Sequence, residues 1–578
     1  MARKPVTDNN SVAAVLTQIA DLLEIKGENL FRVRSYRQAA EAIQLAPRPV
    51  AEMTTVEELQ SIPGVGKGIG EKVLEIVQTG RSSQLAELQQ ELPPTLLDLL
   101  TVPGVGPRTV ALVYQHLGIE TVQQLEQAAR EHKLRALPHM GAKSEEKILK
   151  AIETTRAYSG RFRQDQVLPL ADALVEALRR RREVALADYA GSARRGAETI
   201  GDLDILACSD KPAKVMQYFV SLPQVAEVLL RGDTKTSVRA DSNLQIDLRV
   251  VPADSFGAAL QYFTGSQAHN VRLRTLAKAK GIRLNEYGVF VEATDERLGG
   301  QKEEDVYAAV GLPLIPPQLR ENAGELEAAQ EGSLPRLIQA NDIRGDLHVH
   351  TSDSDGTMTL EQVVQTAIDL RYDYVCVTDH TKSLIVANGL DEKGLLAQQK
   401  RIAALNQRLE GKLRLLSGCE VNILSDGKTD IDQEVLLQLD LVTGSIHSGM
   451  DQPKEKITHR LLAAIENPAI KIIGHPTNRI IGRRAESPMD FETVFKAAAK
   501  HRTAMEINCW PERLDLRDVY LRQGREYQVR FCVCTDSHAR EHMTTMMRYG
   551  LLTAQRGWLE PKDVLNTSPV KRLLAYFR

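Results

Sequence analysis

From residue 341 onward, short apolar runs alternate with helical patterns, and each apolar run ends in a polar cluster. The runs are YDYVCVTDH, LRLLSGCEVNIL, LDLVTGSIHS, IKIIGHP, TAMEINCW and VRFCVCTDSH. Apolar runs of this kind between amphipathic helices indicate strands of a sheet that is covered by helices. The carboxyl ends of parallel strands lie on one side of such a fold, so the polar clusters should meet there. This segment therefore predicts an α/β barrel with a functional site at that end.

Histidine is concentrated in the same segment. Of 13 histidines, four precede residue 340 and nine follow it. His348 and His350 are two positions apart on one predicted strand and therefore share a face. Histidines at strand ends, mixed with carboxylates, form ligand sets that suit Mn²⁺, Zn²⁺ or Fe²⁺. The clusters therefore predict a metal centre.

The stretch GSARRGAETIGDLDIL at 191–206 predicts a second, separate site. On a strand, Asp202 and Asp204 point to one face while their apolar neighbours point to the other. Two carboxylates this close repel each other, and a hard cation between them relieves the repulsion. The glycine and serine that open the stretch, together with Arg195, provide donors for a phosphate. The combination predicts metal-assisted phosphoryl transfer.

The first 160 residues read as helices and contain a repeated Pro-Gly-hydrophobic-Gly element. It occurs in SIPGVGKGIGEKVLEIV at 61–77 and in TVPGVGPRTVALVYQHLG at 101–118, with a worn copy at 137–152. Each copy precedes a helix and resembles the helix–hairpin–helix element. Glycines let the hairpin backbone approach a DNA phosphate without sequence preference. The expected DNA contacts are Gly64, Gly66, Gly104 and Gly106.

Length, charge and cysteine content limit the class of protein. A chain of 578 residues is too long for one core. The 73 basic and 76 acidic residues give a net charge of −3, so any nucleic-acid surface must be locally basic. No apolar run approaches the length of a membrane span, and the amino terminus lacks the apolar segment of a signal peptide. Six cysteines without a CxxC pair fit a reduced, cytoplasmic protein, here expected near the nucleoid.

Residues 10–310 resemble the family X DNA polymerases, the family of DNA polymerase beta. The resemblance rests, in chain order, on IPGVG, GSARRGAETIGDLDIL, QIDLRVV, YFTGS and RLNEYG. It implies that Asp202, Asp204 and Asp247 hold two Mg²⁺ ions and assist attack of a primer 3′-hydroxyl on the nucleotide α-phosphate. DNA-directed DNA synthesis from deoxynucleoside triphosphates on primer-template or gapped DNA is the implied activity.

The same resemblance implies a set of nucleotide contacts. Those to the triphosphate are Gly191, Ser192, Arg195, Gly201 and Arg161. Those to the sugar are Tyr262, Phe263 and Gly265, and those to the nascent pair and template are Asn270 and Arg274. Lys72 matches the lysine that forms a Schiff base with the deoxyribose of an abasic site, so a 5′-deoxyribose phosphate lyase activity is a further expectation. A plain phosphate or solvent contact is the alternative for Lys72.

Residues 341–578 resemble the PHP (polymerase and histidinol phosphatase) domain. The family's trinuclear site implies nine ligands: His348, His350, Asp355, His380, Glu420, His447, His475, Asp536 and His538. Up to three ions, Mn²⁺ or Zn²⁺, are the implied cofactors, and hydrolysis of a phosphoester by activated water is the implied reaction. Asp353, Asp379 and Glu506 are expected to support this site without binding metal.

Together these patterns predict a multidomain chain. The expected domains are a helical helix–hairpin–helix domain of the lyase type at 1–85, a helix–hairpin–helix fingers-type domain at 86–160, an α/β nucleotidyltransferase palm at 161–255, a thumb-type domain at 256–315, a linker at 316–340 and a PHP-type distorted (β/α)7 barrel at 341–578.

The expected function is gap filling in base excision repair with 3′–5′ exonuclease activity, by a protein that is a monomer. The alternative is a DNA-binding PHP phosphoesterase, an abasic-site endonuclease or 3′-phosphatase, with a weak or silent polymerase.

Overall fold

The computed structural model describes residues 9–44, 46, 48–62, 64–158 and 160–577. Residues 1–8 of the expected first domain therefore lie outside the described part. The chain divides into two compact units. The first comprises residues 1–159 with residues 482–485, and the second comprises the remainder. None of the described helices is long and apolar enough to cross a membrane.

The first unit is helical around one apolar core. Its helices are α1 (Asn9–Lys26), α2 (Leu30–Gln44), α3 (Val56–Leu59), α4 (Lys67–Thr79), α5 (Ser83–Glu91), α6 (Leu96–Leu99), α7 (Pro107–Leu117), α8 (Val122–Arg130) and α9 (Ala142–Tyr158), with 3₁₀ turns at Val50–Glu52 and Leu134–Ala136. Helices α4 and α7 begin directly after Gly66 and Gly106, and each ends at a glycine in the left-handed region. The repeated sequence element therefore sets the boundaries of both helices.

The turn before each of these helices has the same geometry. Gly64 and Gly104 have φ of 85° and 82°, a region that favours glycine. In the third copy His139 takes this place with φ of 61°, and Met140 closes the turn by donating to the carbonyl of Leu137. The third copy thus keeps the hairpin turn, although histidine replaces the glycine that the first two copies have at this position.

The second unit begins with a five-stranded sheet in the order β2-β4-β7-β6-β5. The elements of this part of the chain are β1 (Phe162–Arg163), α10 (Gln164–Arg179), β2 (Leu186–Tyr189), α11 (Gly191–Arg194), β3 (Thr199–Ile200), β4 (Asp202–Cys208), α12 (Pro212–Phe219), β5 (Glu227–Arg231), β6 (Lys235–Arg239) and β7 (Gln245–Val251), followed by a 3₁₀ turn at Ala253–Ser255. Strands β4 and β7 run parallel, and β6 pairs antiparallel with β7. We call this part the palm.

A smaller layer follows, built on an antiparallel sheet in the order β10-β9-β8. Its elements are α13 (Phe256–Thr264), α14 (Gln267–Ala279), β8 (Ile282–Asn285), β9 (Gly288–Val291), β10 (Arg297–Gly299) and α15 (Glu303–Ala309). A 3₁₀ turn at Pro317–Leu319, helix α16 (Glu325–Gln330) and a 3₁₀ turn at Ala340–Asp342 lead to the last part of the chain.

The segment 316–340, expected to be a linker, is instead packed into the fold. Arg320 and Glu325 are fully buried, and Leu319, Leu326 and Ile338 are core residues. Arg320 bonds Glu303 at 2.7 Å, and Glu325 contacts His269 Nδ1 at 2.7 Å. The buried charges of this connecting segment face buried partners, so the segment is part of the packed structure.

The remainder is a barrel of seven parallel strands in sequence order. Its elements are β11 (Gly345–Val349), α17 (Leu360–Asp369), β12 (Tyr374–Val377), α18 (Glu392–Arg408), β13 (Arg414–Asn422), α19 (Gln433–Leu436), β14 (Leu441–Ser445), α20 (Lys454–Glu466), β15 (Ile470–Ile473), α21 (Phe491–His501), β16 (Ala504–Asn508), α22 (Asp518–Glu526), β17 (Phe531–Cys534), α23 (Arg540–Thr545), α24 (Met547–Arg556) and α25 (Val570–Tyr576), with 3₁₀ turns at Ile385–Ala387, Pro561–Asp563 and Leu565–Thr567.

The first and last strands of this barrel meet through a parallel bridge between Val349 and Ser537. Its strands are buried along nearly their whole length, as their continuous apolar runs predicted. The predicted seven-stranded α/β barrel is therefore confirmed.

Candidate functional site

The palm carboxylates lie on two adjacent strands. Asp202 and Asp204 alternate on β4 with Leu203 and Ile205, which are fully buried. Parallel pairing of β4 with β7 puts Asp204 directly beside Asp247. The three acids that the sequence singled out therefore share one face of the sheet.

Asp202 and Asp247 act on Asp204, and a lysine partly neutralises Asp247. Burial, followed by repulsion from Asp202 and Asp247, raises the pKa of Asp204 to about 6. Burial also acts to raise the pKa of Asp247, but Lys235 Nζ at 2.7 Å and bonds from Ser237 and Gln245 lower it below its usual value. Lys235 on β6 was not predicted as part of the site, because its position depends on antiparallel pairing with β7.

Gly191 allows close packing against the acid pair. Its φ is 63°, and a Cβ at this position would lie 3.1 Å from Asp204 Oδ2. The preceding amide of Ala190 donates to the carbonyl of Asp204 at 2.8 Å. A larger residue in place of Gly191 would therefore intrude on the carboxylate of Asp204. Ser192, which is half-buried, follows in the same turn.

The expected triphosphate residues lie around this turn. Arg195 donates from Nε to Glu321 at 3.0 Å and from Nη1 to the carbonyl of Thr264 at 2.6 Å. Arg161 donates from Nη2 to the carbonyl of Thr199 at 2.6 Å. A Cβ at Gly201 would lie 3.3 Å from Arg161 Nη1. Arg161 and Gly201 are thus in contact at the start of the acid-bearing strand.

The expected sugar and base contacts also lie together. A small cleft is lined by Tyr262, Asn270 and Arg274. Asn270 donates to the carbonyl of Tyr262 at 2.7 Å, and Arg274 Nε donates to the carbonyl of Asn270 at 3.3 Å. Phe263 packs edge-on against Tyr262, and the guanidinium of Arg249 lies over the Phe263 ring. Gly265 has φ of 68° and lies close to Arg195, which joins this cleft to the triphosphate side.

In the first helical unit, a cavity of about 720 Å³ lies beside the first hairpin. Gly64, Gly66 and Lys72 line it, together with Tyr36 and Arg32. Tyr36 is buried and donates its hydroxyl hydrogen to Gln84 at 2.8 Å, which fixes one wall. Gly104 and Gly106 form the corresponding turn of the second hairpin.

All nine predicted metal ligands of the barrel converge at the carboxyl ends of the strands. Three groups of ligand atoms lie within 4.8 Å of one another: His350, Asp355, His380 and His538; His348, His350 and Asp536; and His380, Glu420 and His447. His475 joins them through Nε2, 3.0 Å from Glu420 Oε1. Among the described residues such groups are confined to the barrel, so the palm acids are less tightly gathered.

Four of the histidines are oriented by an oxygen that faces Nδ1. His348 faces Glu506 at 2.7 Å, His447 faces Asn422 at 2.6 Å, and His475 faces Asn478 at 2.9 Å. His538 faces the carbonyl of Asp536 at 2.9 Å. A proton on Nδ1 leaves the lone pair of Nε2 directed to the cluster, as in histidines that bind metals.

The donor set fits metal ions because several of its polar atoms lack another partner. In the described part of the chain, His348 Nε2, His350 Nδ1, His380 Nδ1 and Glu420 Oε1 are buried and make no hydrogen bond of acceptable geometry, although His380 Nδ1 and Glu420 Oε1 contact other members of the set. Burial opposes ionisation of Glu420, but His447, His380 and His348 hold its pKa well below the usual range. Buried polar atoms without hydrogen bonds are costly, and a bound cation would satisfy them.

Of the three supporting acids, Glu506 is the most directly involved. It is fully buried, contacts His348 Nδ1 and accepts from the backbone amide of His475. Asp379 accepts from Thr351, and Asp353 from Gln398, so both brace the first strand's loop. Asn422 and Asn478 were not predicted, because their role depends on which ring nitrogen of a distant histidine they face.

Family models match most parts of the chain. These are a Helix-hairpin-helix domain at residues 7–82, a SAM-like Helix-hairpin-helix tandem at 96–154, the DNA polymerase beta thumb at 259–321 and the PHP domain at 346–509. The expected multidomain fold class is thereby confirmed.

Relatives match the whole chain and its parts. The chain is 38% identical to DNA polymerase/3′-5′ exonuclease PolX of Bacillus subtilis (strain 168) over 569 residues, 98% of this chain and 99% of that protein. It is 27% identical to DNA polymerase lambda of Rattus norvegicus over 351 residues, 55% of this chain and 57% of that protein. A probable phosphatase of Thermoanaerobacter sp. (strain X514) is 32% identical over 168 residues, 28% of this chain and 63% of that protein.

Proposed function

Because the chain belongs to the bacterial PolX family of DNA polymerases, we propose that it fills short gaps in DNA at the palm and removes nucleotides from DNA 3′ ends in the barrel. The observation that carries this proposal is the presence of two separate groups of residues that could hold metal ions. One has three carboxylates on adjacent strands, and the other has nine converging ligands. We propose that the two activities serve base excision repair.

At the palm, Asp202, Asp204 and Asp247 would hold Mg²⁺, since carboxylate oxygens are its preferred ligands. Bound Mg²⁺ supplies Lewis-acid stabilisation of the phosphate charge and lowers the pKa of the primer 3′-hydroxyl. Ser192 and Arg195 would bind the triphosphate, and Arg161 would add a positive charge. Tyr262, Phe263 and Gly265 would orient the sugar, while Asn270 and Arg274 would contact the nascent pair.

At the barrel, the nine ligands would hold up to three ions, Mn²⁺ or Zn²⁺. Bound ions would supply an activated water and stabilise the negative charge on the phosphoryl oxygens. The residues around them fix this arrangement, since Glu506, Asn422 and Asn478 favour a proton on Nδ1 of the histidines that they face. We propose further that the protein acts as a monomer in the cytoplasm, associated with the nucleoid.

Isosteric and ligand-removing variants separate the two activities. On 5′-labelled, one-nucleotide-gapped DNA with Mg²⁺ and nucleotides, Asp247→Asn should abolish extension while 3′-end removal in Mn²⁺ persists. His350→Ala and Asp355→Ala should do the reverse. Asp233→Asn, an exposed acid of the palm, serves as the control and should keep both activities.

Two outcomes would contradict this assignment. If either variant loses both activities while remaining folded, the two sites are not independent. If the unsubstituted chain removes 3′ nucleotides but never extends a primer, the alternative of a DNA-binding phosphoesterase with a silent polymerase is correct.

A lyase activity is the second candidate, because Lys72 lines the cavity of about 720 Å³ beside the first hairpin. Its amine would attack the C1′ aldehyde of an incised abasic site and release water to form an imine, which borohydride reduces to a stable cross-link. Lys67 lines the same cavity and provides a matched control. Lys67→Ala should cross-link normally and Lys72→Ala should not; equal cross-linking by both would exclude Lys72.

A further inference from the structure

Helix α24 of the barrel packs against the turn that carries Arg195. Gly196, in this turn, has φ of 67°, and a Cβ there would lie 3.0 Å from Leu552 Cδ2. Next to it, Glu198 pairs with Arg479 at 2.8 Å, and Arg479 is nearly buried. The palm turn from Arg195 to Glu198 is therefore held in place by side chains of the barrel.

Arg556, the last residue of α24, connects this contact to Arg195. Its Nη1 donates to Glu321 Oε1 at 2.7 Å and to the carbonyl of Arg195 at 3.3 Å. Its Nε donates to Asp518 at 2.8 Å. Glu321 Oε1 also accepts from Arg195 Nε at 3.0 Å. One carboxylate oxygen thus joins a guanidinium of the barrel to a guanidinium of the palm.

The charges in this group explain why the connection matters for an anionic ligand. Arg195 and Arg556 bring two positive charges, and Glu321 and Asp518 bring two negative charges. All four side chains are at most 30% exposed, so solvent screens them weakly. Without Arg556, Glu321 would pair with Arg195 alone, and the uncompensated carboxylates of Glu321 and Asp518 would repel a neighbouring phosphate.

We propose that Arg556 is a positioning residue for nucleotide binding: by sharing Glu321, it leaves the charge of Arg195 available to the triphosphate. This proposal rests on the proposed polymerase function, in which Arg195 contacts the triphosphate. The barrel then contributes to synthesis through a side chain outside its own metal centre. The barrel therefore serves both activities, although the reacting groups of the two activities are separate.

Single-nucleotide insertion into one-nucleotide-gapped DNA by the full chain tests the proposal. Arg556→Ala should raise KM for the complementary nucleotide about tenfold, the size of a typical coupling between sites, with little change in kcat. Glu321→Gln removes a negative charge and keeps the shape, so it should lower KM. The double variant Arg556→Ala/Glu321→Gln should return KM close to that of the unsubstituted chain. Arg556→Lys, which keeps the charge without the planar fork, should be intermediate.

Arg548 provides the matched control, because it lies on the same helix and pairs with Asp172 of the palm at 2.8 Å without touching Glu321. Arg548→Ala should leave KM unchanged, and 3′-end removal should persist in every variant. The proposal is overturned if Arg556→Ala has the KM of Arg548→Ala. Should Arg556→Ala fail to fold, Glu321→Gln decides alone, and an unchanged or raised KM overturns the proposal. Absence of insertion by the unsubstituted chain would instead contradict the polymerase function itself.

Discussion

Replacing Glu506 with glutamine should weaken metal binding in the barrel without removing a ligand. Glu506 faces His348 Nδ1 at 2.7 Å with one oxygen and accepts from the backbone amide of His475 with the other. A backbone amide cannot give up its hydrogen, so the glutamine oxygen must face His475. Its NH₂ group then faces His348 and favours a proton on Nε2, the nitrogen that is directed to the cluster.

Metal binding requires His348 Nε2 to carry no proton, so the proton must lie on Nδ1. The Nδ1–H group would then face the NH₂ group of the glutamine, which places two donors against each other. Loss of a charge-assisted hydrogen bond of this kind costs about 1.5–3 kcal/mol. The affinity for the ion bound by His348 should fall roughly 10- to 150-fold, which overlaps the roughly 10- to 100-fold loss that is typical when partners of metal-binding histidines are removed.

Calorimetric titration of the metal-free full chain with Mn²⁺ measures this directly. The Mn²⁺ concentration that half-activates 3′-end removal should rise in parallel, while primer extension with Mg²⁺ stays unchanged. Asp563→Asn is the matched control, since Asp563 is also buried but pairs with Arg525 at 3.2 Å and touches no ligand. A folded Glu506→Gln protein that binds Mn²⁺ as tightly as the control would refute the reasoning.

Two further predictions concern the palm. Folding raises the pKa of Asp204 from 3.8 to about 6, so between these pH values the metal-free folded chain holds a proton that the unfolded chain releases. The free energy of unfolding should therefore decline as pH rises from about 4 to about 6. Asp204→Asn should have a higher melting temperature than the unsubstituted chain at pH 7, but not at pH 4. Lys235 competes with a cation for Asp247, so Lys235→Met should lower the Mg²⁺ concentration for half-maximal extension about two- to fivefold; an unchanged requirement would show that Lys235 does not compete.

The parts of the sites that lie within one strand could be predicted from the sequence. Alternation along β4 separated Asp202 and Asp204 from Leu203 and Ile205, and the burial of these residues follows that pattern. The barrel could be predicted for a similar reason, since each apolar run of the sequence ends in a cluster of polar residues. Local periodicity is enough where neighbouring residues determine the orientation of a side chain.

Contacts between distant segments could not be predicted in this way. Lys235 reaches Asp247 through strand pairing, and Arg556 reaches Glu321 through packing of a helix from another domain. The packing of the segment at 316–340 could not be predicted, because composition does not reveal whether a charge has a buried partner, as Arg320 has in Glu303. Such contacts depend on the assembled tertiary structure.

The closure of the barrel has a consequence for the order in which the protein matures during translation. His348 is on the first strand and His350 directly follows it, whereas Asp536 and His538 follow the last strand. A growing chain therefore completes the palm acids long before the last two barrel ligands emerge from the ribosome. The metal centre of the barrel can form only after residue 538 has been synthesised, so chains that stop before this residue should be unable to cut DNA.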